Sequence, residues 1–275
     1  MIGNQFREKL HAGGRLYGTL ITSDSPRWPA VVNKLGLDFV FIDTEHIALD
    51  RASVSWMCQT YAALGLAPVV RIHRPDPFLA CMMLDGGAQG IIAPYVESAE
   101  EVRQLVGAVK YRPLNGQKLQ AFLAGRAALE PEQEKHLNQY NHNNSLIVNI
   151  ESVPAMDALD EILAVPGLDG VLVGPHDLTT NLGIAEQYEH PAYIAAVDEI
   201  IRKSRARSIG VGTHVMYQNG ISQEIRWAQM GANLMVHMAD FITFQYALQA
   251  AVGEIKRALD DQPSAPTGPE REIHV

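Results

Sequence analysis

The chain has 275 residues, of which 47% are hydrophobic and 19% are charged, and its formal net charge is −9. This composition is typical of a globular protein with a sizeable core. The negative charge argues against nucleic acid or an anionic membrane surface as a partner. No stretch approaches the roughly 18 apolar residues of a membrane span, and the N-terminus shows no signal-peptide pattern, so we expect a cytoplasmic protein.

Two cysteines are present, and neither has the spacing of a paired metal ligand. Cys58 and Cys81 both lie in apolar patterns of helical type. We therefore expect buried free thiols in a reducing compartment.

Short runs rich in Val, Ile, Leu and Phe alternate along the chain with longer segments of helical periodicity. Ser98 and Glu101 have the spacing of a capping box, which marks the start of one helix. The segment 112–144 is predicted to be irregular. In chain order, the predicted strands are residues 16–22, 38–43, 67–72, 89–94, 145–151, 168–174, 209–215 and 233–238.

The last predicted helix carries an apolar stripe at helical spacing. The segment after it, "DDQPSAPTGPEREIHV", is polar and rich in proline, and we predict a disordered tail over 261–275. The stripe consists of Phe241, Phe244, Leu248, Ala251, Ile255 and Leu259.

Eight strand-plus-helix units predict an α/β fold of the (β/α)₈ TIM barrel type, with residues 1–260 as a single domain. The predicted strands are almost continuously apolar, as strands covered on both faces must be. A doubly wound sheet is the alternative, but no G-x-G-x-x-G follows the first strand, which disfavours it.

Ionisable residues concentrate where the predicted strands end, and the strand interiors are apolar. In a barrel of this type the functional groups lie at the C-terminal ends of the strands, so these residues should share one rim. The second strand shows the pattern most clearly in "DFVFIDTEH". The strand-end residues are Asp43, Glu45, His46, Arg71, Asn149, Glu151, His176, Asp177, Thr213 and His214.

Individual members of this set also have structural interpretations. Asp177 suits a helix cap, and Arg71 suits an ion pair with a neighbouring carboxylate. His214 and His237 are predicted to pack or to form hydrogen bonds rather than to bind a ligand. The concentration of these groups on neighbouring strands favours a site, because independent helix caps need not cluster.

Glu151 and Asp177 are separated by one β-α-β unit, so their strands should be adjacent, at about 4.8 Å in a parallel sheet. Two carboxylates without a cysteine suit a hard divalent cation, Mg²⁺ or Mn²⁺ first, with Co²⁺ or Zn²⁺ as alternatives. A 2-oxo acid chelates such an ion. The loop Gly174-Pro175-His176-Asp177 then offers backbone N–H groups to the substrate carboxylate.

Three further residues complete a reaction at this rim. Arg71 is placed to hold developing enolate charge. His46 is a suitable acid/base near neutral pH, and Asp43 is predicted to orient its imidazole. Enolate stabilisation with a positioned base is the chemistry of aldol addition and cleavage beside a ketone.

Six segments, taken in order, resemble the HpcH/HpaI aldolase family of metal-dependent class II pyruvate aldolases, typified by 4-hydroxy-2-oxoheptanedioate aldolase. The resemblance extends over about residues 14–258. It implies a (β/α)₈ barrel whose final helix is exchanged between neighbours, in a homohexamer built as a trimer of dimers. The segments are "FIDTEH", "PVVRI", "LDGGAQGIIAPYVESAEE", "KYRPLNG", "VNIES" and "GVLVGPHDLTTNLG".

The resemblance also implies a role for individual residues. His46 with Asp43 matches the acid/base dyad, and Arg71 matches the enolate-stabilising arginine. Asp85 in "MLDGG" matches a carboxylate contributed at the subunit interface. Glu151 and Asp177 match the metal ligands, and the backbone amides from Gly174 to Asp177 match the seat of the substrate carboxylate.

Three positions depart from the family pattern. Gln117-Lys118 stands where an arginine-rich turn is common, which puts the preference for the acceptor aldehyde in question. Asn149 replaces a common glutamine, and His176 replaces a small residue beside the oxo acid. The metal pair and the base are intact, so the departures bear on the substrate more than on the type of reaction.

The sequence therefore predicts divalent-metal-dependent, reversible aldol cleavage of a 4-hydroxy-2-oxo acid to pyruvate and an aldehyde. The segment "GPHDL" also resembles macrophomate synthase, which decarboxylates oxaloacetate to an enolate and forms C–C bonds, and this is the alternative. A non-enzymatic barrel is disfavoured by the base and the metal pair. A coenzyme A thioester enzyme is disfavoured because no groove for a pantetheine arm is evident.

A class I mechanism would require a lysine at a strand end that forms a Schiff base. The lysines fall in the N-terminal segment, in predicted helices or in the irregular segment. Lys118 is the one lysine with a loop position from which it reaches the substrate, and its solvation argues against the lowered pKa that imine formation needs.

Overall fold

The computed structural model describes residues 2–217 and 220–261. Eight parallel strands follow one another around a closed barrel, and β8 pairs with β1. They are β1 (Leu16–Ile21), β2 (Phe39–Asp43), β3 (Ala67–Arg71), β4 (Gly90–Ala93), β5 (Ser145–Ile150), β6 (Gly170–Val173), β7 (Gly210–Val215) and β8 (Leu234–Ala239).

This topology confirms the predicted (β/α)₈ barrel and excludes the doubly wound sheet. The helices are α1 (Gly3–His11), α2 (Trp28–Val32), α3 (Arg51–Ala63), α4 (Pro77–Asp85), α5 (Ala99–Lys110), α6 (Gly116–Leu123), α7 (Pro131–Tyr140), α8 (Val153–Asp157), α9 (Leu159–Ile162), α10 (Pro175–Asn181), α11 (Pro191–Ala206), α12 (Ile221–Met230) and α13 (Asp240–Ala258).

The alternation of side chains along each strand decides what faces the barrel interior. Phe39 and Phe41 lie in a core cluster inside the barrel, whereas Val40 and Ile42 lie in the larger cluster between the strands and the helices. Successive side chains of a strand point to opposite faces. The next residue of inward parity on β2 is therefore Asp43, which is fully buried.

Helix α1 closes the N-terminal end of the barrel. Its Phe6 and Leu10 are buried in the interior cluster, and the Phe6 ring packs edge-on against Phe39. Gly210 makes room for Leu10, because a Cβ there would lie 2.2 Å from that side chain. The imidazole Nε2 of His11 lies 2.9 Å from a carboxylate oxygen of Asp169, which ties the end of α1 to the barrel.

Three helices were not expected from the sequence. The N-terminal segment forms α1, and the segment 112–144, predicted to be irregular, contains α6 and α7. The capping box at Ser98 and Glu101 is confirmed at the start of α5.

The last helix packs on the barrel only at its beginning. Within α13 only Ile242 is buried, and Phe241 and Tyr246 pack partly buried against the interior cluster. From Phe244 onward, apolar side chains such as Leu248 and Ile255 are exposed in a single chain. The predicted exchange of this helix between subunits stays a prediction. The predicted disorder of 261–275 concerns residues that, Asp261 apart, lie outside the described ones.

Within residues 2–217 and 220–261, no helix combines the length and the apolar character needed to cross a bilayer. Cys58 is a buried free thiol, as predicted, and Cys81 is free and half-buried.

Candidate active site

The strand register brings Asp43 and Arg71 together at the C-terminal rim, because these two residues are direct partners on β2 and β3. The Nε–H of Arg71 donates to Asp43 Oδ1 at 2.8 Å, and Nη2 donates to Oδ2 at 2.7 Å. Both side chains are buried. A bidentate pair of this kind fixes both groups in one geometry.

Burial opposes ionisation of Asp43, but the hydrogen bonds and charge of Arg71 outweigh it and lower the pKa of Asp43. Phe41 is the inward-facing residue of β2 that comes before Asp43. The guanidinium carbon of Arg71 lies 5.3 Å from the centre of its ring. Arg71 therefore lies on top of the apolar barrel interior, with its charge paired. Arg71 is therefore an ion-pair partner, as the structural interpretation of the sequence predicted. This pairing does not exclude a catalytic role for Arg71.

The predicted contact between Asp43 and the imidazole of His46 is not among the hydrogen bonds of this carboxylate. Besides Arg71, Asp43 accepts bonds from the backbone N–H groups of Glu45, at 2.9 Å, and His46, at 3.3 Å. Asp43 thus holds the backbone of the turn that carries His46, and not the imidazole ring of that residue. The carboxylate that faces the ring is Glu45, whose Oε2 lies 3.6 Å from Nε2 of His46.

On the other side of the rim, Glu151 and Asp177 approach the same point. A Cβ added to Gly174 would lie 2.7 Å from Glu151 Oε2 and 3.6 Å from Asp177 Oδ2. Gly174 therefore leaves open the space that both carboxylates border. The β5–β6 pairing, in which Ile150 is the partner of Val173, sets this proximity.

Glu151 is held firmly and is expensive to ionise. Its Oε1 accepts the backbone N–H of Tyr95 at 2.7 Å, and its Oε2 accepts the side-chain amide of Asn149 at 2.8 Å. Burial raises the pKa of Glu151 to about 7, with a further contribution from the negative charge of Asp177. A buried carboxylate beside a second one is stabilised in its charged form by a cation.

The donor atoms at this point fit a hard cation. The amide Oδ1 of Asn149, buried beside Glu151, accepts no hydrogen bond within the described residues. Carboxylate and amide oxygens are the ligands that Mg²⁺ and Mn²⁺ prefer. In the part of the chain that the structure describes, no group of three or more His, Cys, Asp or Glu side chains is gathered as a metal site.

The loop that follows β6 leads directly into helix α10. Gly174 precedes the first helical residue, Pro175, and Asp177 lies in the first turn. Nδ1 of His176 lies 3.8 Å from a carboxylate oxygen of Glu186. The predicted seat of a substrate carboxylate on the amides of this loop stays a prediction.

Asp85 is not part of this rim within one chain. It is the last residue of α4, its side chain is 68% exposed, and it pairs with Arg112. A role for Asp85 requires a site on a neighbouring subunit, as the family resemblance implies, and stays a prediction.

Two histidines singled out in the sequence have structural partners. His214 lies inside the barrel, edge-on to Phe41, and burial together with the nearby Arg71 lowers its pKa to about 4. Nδ1 of His237 lies 2.6 Å from a carboxylate oxygen of Glu224. Both fit the predicted structural roles.

The lysine predicted to have access to the substrate is engaged elsewhere. Lys118 lies on α6, not in a loop, and its Nζ donates to Gln133 on α7 at 2.7 Å. This arrangement agrees with a mechanism that uses no Schiff base.

Sequence reasoning missed Tyr95. This residue follows β4 with a left-handed backbone (φ 56°), and its side chain hydrogen-bonds Glu45, which is the main reason that the pKa of its phenol is raised. Its place after an apolar strand was the one available signal. Glu45 was noted at the strand end, but no role was assigned to it.

A closed parallel barrel with a buried Arg–carboxylate pair, a histidine and a carboxylate pair at its C-terminal rim defines an enzyme of the (β/α)₈ class. A family model described as HpcH/HpaI aldolase/citrate lyase matches residues 17–243. The chain belongs to this family.

Two relatives support this assignment over almost the whole chain. A 2-keto-3-deoxy-L-rhamnonate aldolase of Escherichia coli (strain K12) is 31% identical over 256 residues, which cover 93% of this chain and 94% of that protein. The crystal structure of an HpcH/HpaI aldolase from Desulfitobacterium hafniense DCB-2 is 26% identical, with a TM-score of 0.80, and the match covers 94% of this chain and 98% of that one. These relatives are aldolases, which confirms the prediction of a lyase of this type.

Two more distant solved structures share the fold. Macrophomate synthase is 21% identical with a TM-score of 0.76, and the match covers 94% of this chain and 90% of that one. The citrate lyase beta subunit from M. tuberculosis, complexed with oxaloacetate and magnesium, is 18% identical with a TM-score of 0.55, covering 84% of this chain and 93% of that one. At these identities the likeness concerns the fold alone.

Proposed function

We propose that the protein catalyses the divalent-metal-dependent, reversible aldol cleavage of a 4-hydroxy-2-oxo acid to pyruvate and an aldehyde. The observation that carries the proposal is the convergence of Glu151 and Asp177 over Gly174, on the same rim as Arg71 and His46. The family of aldolases to which the chain belongs supports it.

Arg71 and His46 divide the chemistry in the cleavage direction. His46 takes the proton of the C4 hydroxyl, the C3–C4 bond breaks, and its electron pair moves toward the C2 carbonyl oxygen, which gives an enolate and a free aldehyde. The imidazolium then returns a proton to C3, and pyruvate forms. Arg71 holds the charge on the enolate oxygen.

The guanidinium of Arg71 has a donor to spare for this task. Within the described residues its hydrogen bonds use Nε and Nη2, both directed to Asp43. The Nη1 amino group is left for a substrate oxygen. The pairing with Asp43 holds the guanidinium rigidly. The side chain of Arg71 therefore loses little conformational freedom when the substrate binds.

Glu151 and Asp177 are the ligands we propose for the cation, with Asn149 beside them. A cation at this point supplies positive charge to an oxo acid, and Mg²⁺ or Mn²⁺ fits the oxygen donors. The relative from M. tuberculosis with the same fold is complexed with oxaloacetate and magnesium, a 2-oxo acid together with a divalent cation.

The substrate class follows from the reaction and from the relatives. The E. coli relative is named for a 2-keto-3-deoxy sugar acid, so acids of this type belong in a substrate screen beside simpler 4-hydroxy-2-oxo acids. The likeness of fold to macrophomate synthase keeps oxaloacetate decarboxylation as the second candidate activity.

A metal-supplemented screen tests both activities together. The experiment measures pyruvate and aldehyde released from 4-hydroxy-2-oxo acids, with oxaloacetate decarboxylation followed in parallel and a 4-deoxy analogue as the control. We expect equimolar pyruvate and aldehyde, and no cleavage of the analogue, which has no hydroxyl proton to lose. Decarboxylation without aldol cleavage would overturn the proposal in favour of the second activity.

A further inference from the structure

The imidazole of His46 needs a group that sets which ring nitrogen carries the proton. The two nitrogens are distinct, and the hydrogen bond made by one decides whether the other is free to act as a base. Both acceptor oxygens of Asp43 are already occupied, by the two donors of Arg71 and by the backbone N–H groups of Glu45 and His46. Asp43 is thus committed to the guanidinium and to the turn.

Glu45 has an acceptor in the right place. Its Oε2 is buried, lies 3.6 Å from Nε2 of His46, and accepts no hydrogen bond within the described residues. The same oxygen lies 3.1 Å from Nε of Arg71, but the single hydrogen on that nitrogen points to Asp43. The positive charge of Arg71 therefore attracts Glu45 Oε2, while the lone pairs of this oxygen stay available to the imidazole.

Tyr95 is a further partner of Glu45. Its side chain hydrogen-bonds Glu45, while its backbone N–H donates to Glu151. The left-handed backbone of Tyr95, uncommon for a residue with a side chain, makes both contacts from one position. Strain of this kind persists where the surrounding structure requires it.

We propose that Glu45 is the positioning residue of His46: its carboxylate, held by Arg71 and Tyr95, keeps the proton on Nε2, so that Nδ1 is the atom that exchanges protons with the substrate. The role of His46 as acid/base belongs to the proposed function, on which this inference rests. The choice of nitrogen is a separate property of the free protein. Tyr95 acts through Glu45, so its hydroxyl is a second positioning group.

The first test reads the tautomer without any reaction. The ¹⁵N chemical shifts of the His46 ring, assigned by comparison with His46→Asn, report which nitrogen carries the proton when the ring is neutral. We expect the Nε2–H form. An Nδ1–H form would overturn the inference whether or not the enzyme cleaves any substrate.

The second test measures proton transfer without an acceptor aldehyde. Wild-type enzyme with Mg²⁺ and pyruvate in D₂O should exchange the methyl protons of pyruvate, followed by ¹H NMR. Glu45→Gln should lower kcat for exchange by about 10- to 100-fold, as the loss of a group that orients a histidine does elsewhere, with KM for pyruvate near its wild-type value. Glu45→Asp should restore part of the rate, and Tyr95→Phe should lower it less than Glu45→Gln.

Glu224→Gln is the matched control, because it makes the same change in another histidine–glutamate pair, the one with His237. We expect wild-type exchange from it. An equal loss in Glu224→Gln, an unchanged kcat in Glu45→Gln, or a rise in KM alone would each overturn the inference. Exchange and cleavage both absent from the wild type would instead remove the proposed function, while the tautomer test would still stand. If Glu45→Gln does not fold, Tyr95→Phe at wild-type kcat overturns the inference.

Discussion

The ion pair between Asp43 and Arg71 stabilises the ends of β2 and β3. The same pair also fixes the positive charge that Arg71 places at the rim. Removing one partner of a buried ion pair leaves the charge of the other partner buried and unpaired, which costs about 3–5 kcal/mol. Because Asp43 is fully buried, Arg71→Ala changes the stability of the fold as well as the rate of the reaction. Arg71→Lys keeps a positive charge beside Asp43 but loses the planar fork.

We predict that Arg71→Ala lowers the free energy of unfolding by about 3–5 kcal/mol, and that Arg71→Lys folds but turns over slowly. Urea denaturation and initial rates of pyruvate release measure the two effects. Arg74→Ala is the control, because Arg74 forms an exposed pair with Asp76 on the loop after the same strand. Its loss should cost under about 1 kcal/mol. Arg71→Lys at the wild-type rate would contradict the role in holding enolate charge.

The carboxylate pair gives a second prediction at the scale of single residues. Chelation should abolish activity, and Mg²⁺ or Mn²⁺ should restore it, because Glu151 and Asp177 are proposed to hold the ion. Binding of Mn²⁺, measured by electron paramagnetic resonance, should be lost in Asp177→Asn. Asp160→Asn, on the exposed surface of α9, is the control. Tight Mn²⁺ binding by Asp177→Asn would contradict the assignment.

At the scale of secondary structure, the strands were predictable and three helices were not. Each strand is an apolar run long enough to cross the barrel, and polar residues mark its end. Helix α6 has no fully buried residue and α7 has one, Leu137, so both helices offer only a few apolar positions from which a buried face is recognised. Helix α1 buries only two large side chains, Phe6 and Leu10.

The site was predictable as a location but not as a set of contacts. Asp43, Arg71 and Glu151 were expected at the rim because each ends an apolar strand. Which carboxylate pairs with Arg71 depends on the register of β2 against β3, and no local pattern encodes that register. The contribution of Tyr95 depends on a left-handed backbone at one position. Neither feature follows from spacing.

The docking of α1 gives a prediction with a defined pH dependence. Asp169 raises the pKa of His11 above its ordinary value of 6.5, mainly through the hydrogen bond between them. A group whose pKa is raised on folding contributes stability below its unfolded pKa and loses it as the pH rises through the folded pKa. The contribution of His11 is therefore complete below about pH 6.5 and declines above it.

We expect His11→Asn to lower Tm more at pH 5.5 than at pH 8.5, measured by circular dichroism in low salt. Lys203→Met is a suitable control, because it removes an exposed pair with Asp160 in which neither partner titrates over this range. An equal loss of Tm at both pH values for His11→Asn would contradict a charged contact between His11 and Asp169.

At the scale of the whole molecule, one sector of the barrel lacks its cover. In a (β/α)₈ barrel the outer face of every strand is normally covered by helices. The outward side chains of β1 and β8 are partly open instead, among them Tyr17, Met235 and His237. Helix α13 packs on the interior cluster only as far as Tyr246 and does not cover them. A helix from a second copy of the chain fits both the open sector and the unpartnered stripe of α13.

The exposed stripe of α13 therefore gives the prediction about assembly. Phe244 is 63% exposed and Leu248 is 50% exposed in a single chain, and continuous apolar surface of this kind marks an interface. We predict that Phe244→Glu with Leu248→Glu converts an oligomer into folded monomers, because buried charges at an apolar contact are costly. Light scattering at micromolar concentration measures the mass, and Gln249→Glu, on another face of the same helix, should leave the assembly intact. Truncation after Thr243 should act like the double substitution, since it keeps the buried Ile242. A wild-type protein that is monomeric at this concentration, or a doubly substituted variant that keeps the wild-type mass, would show that the stripe has a different partner.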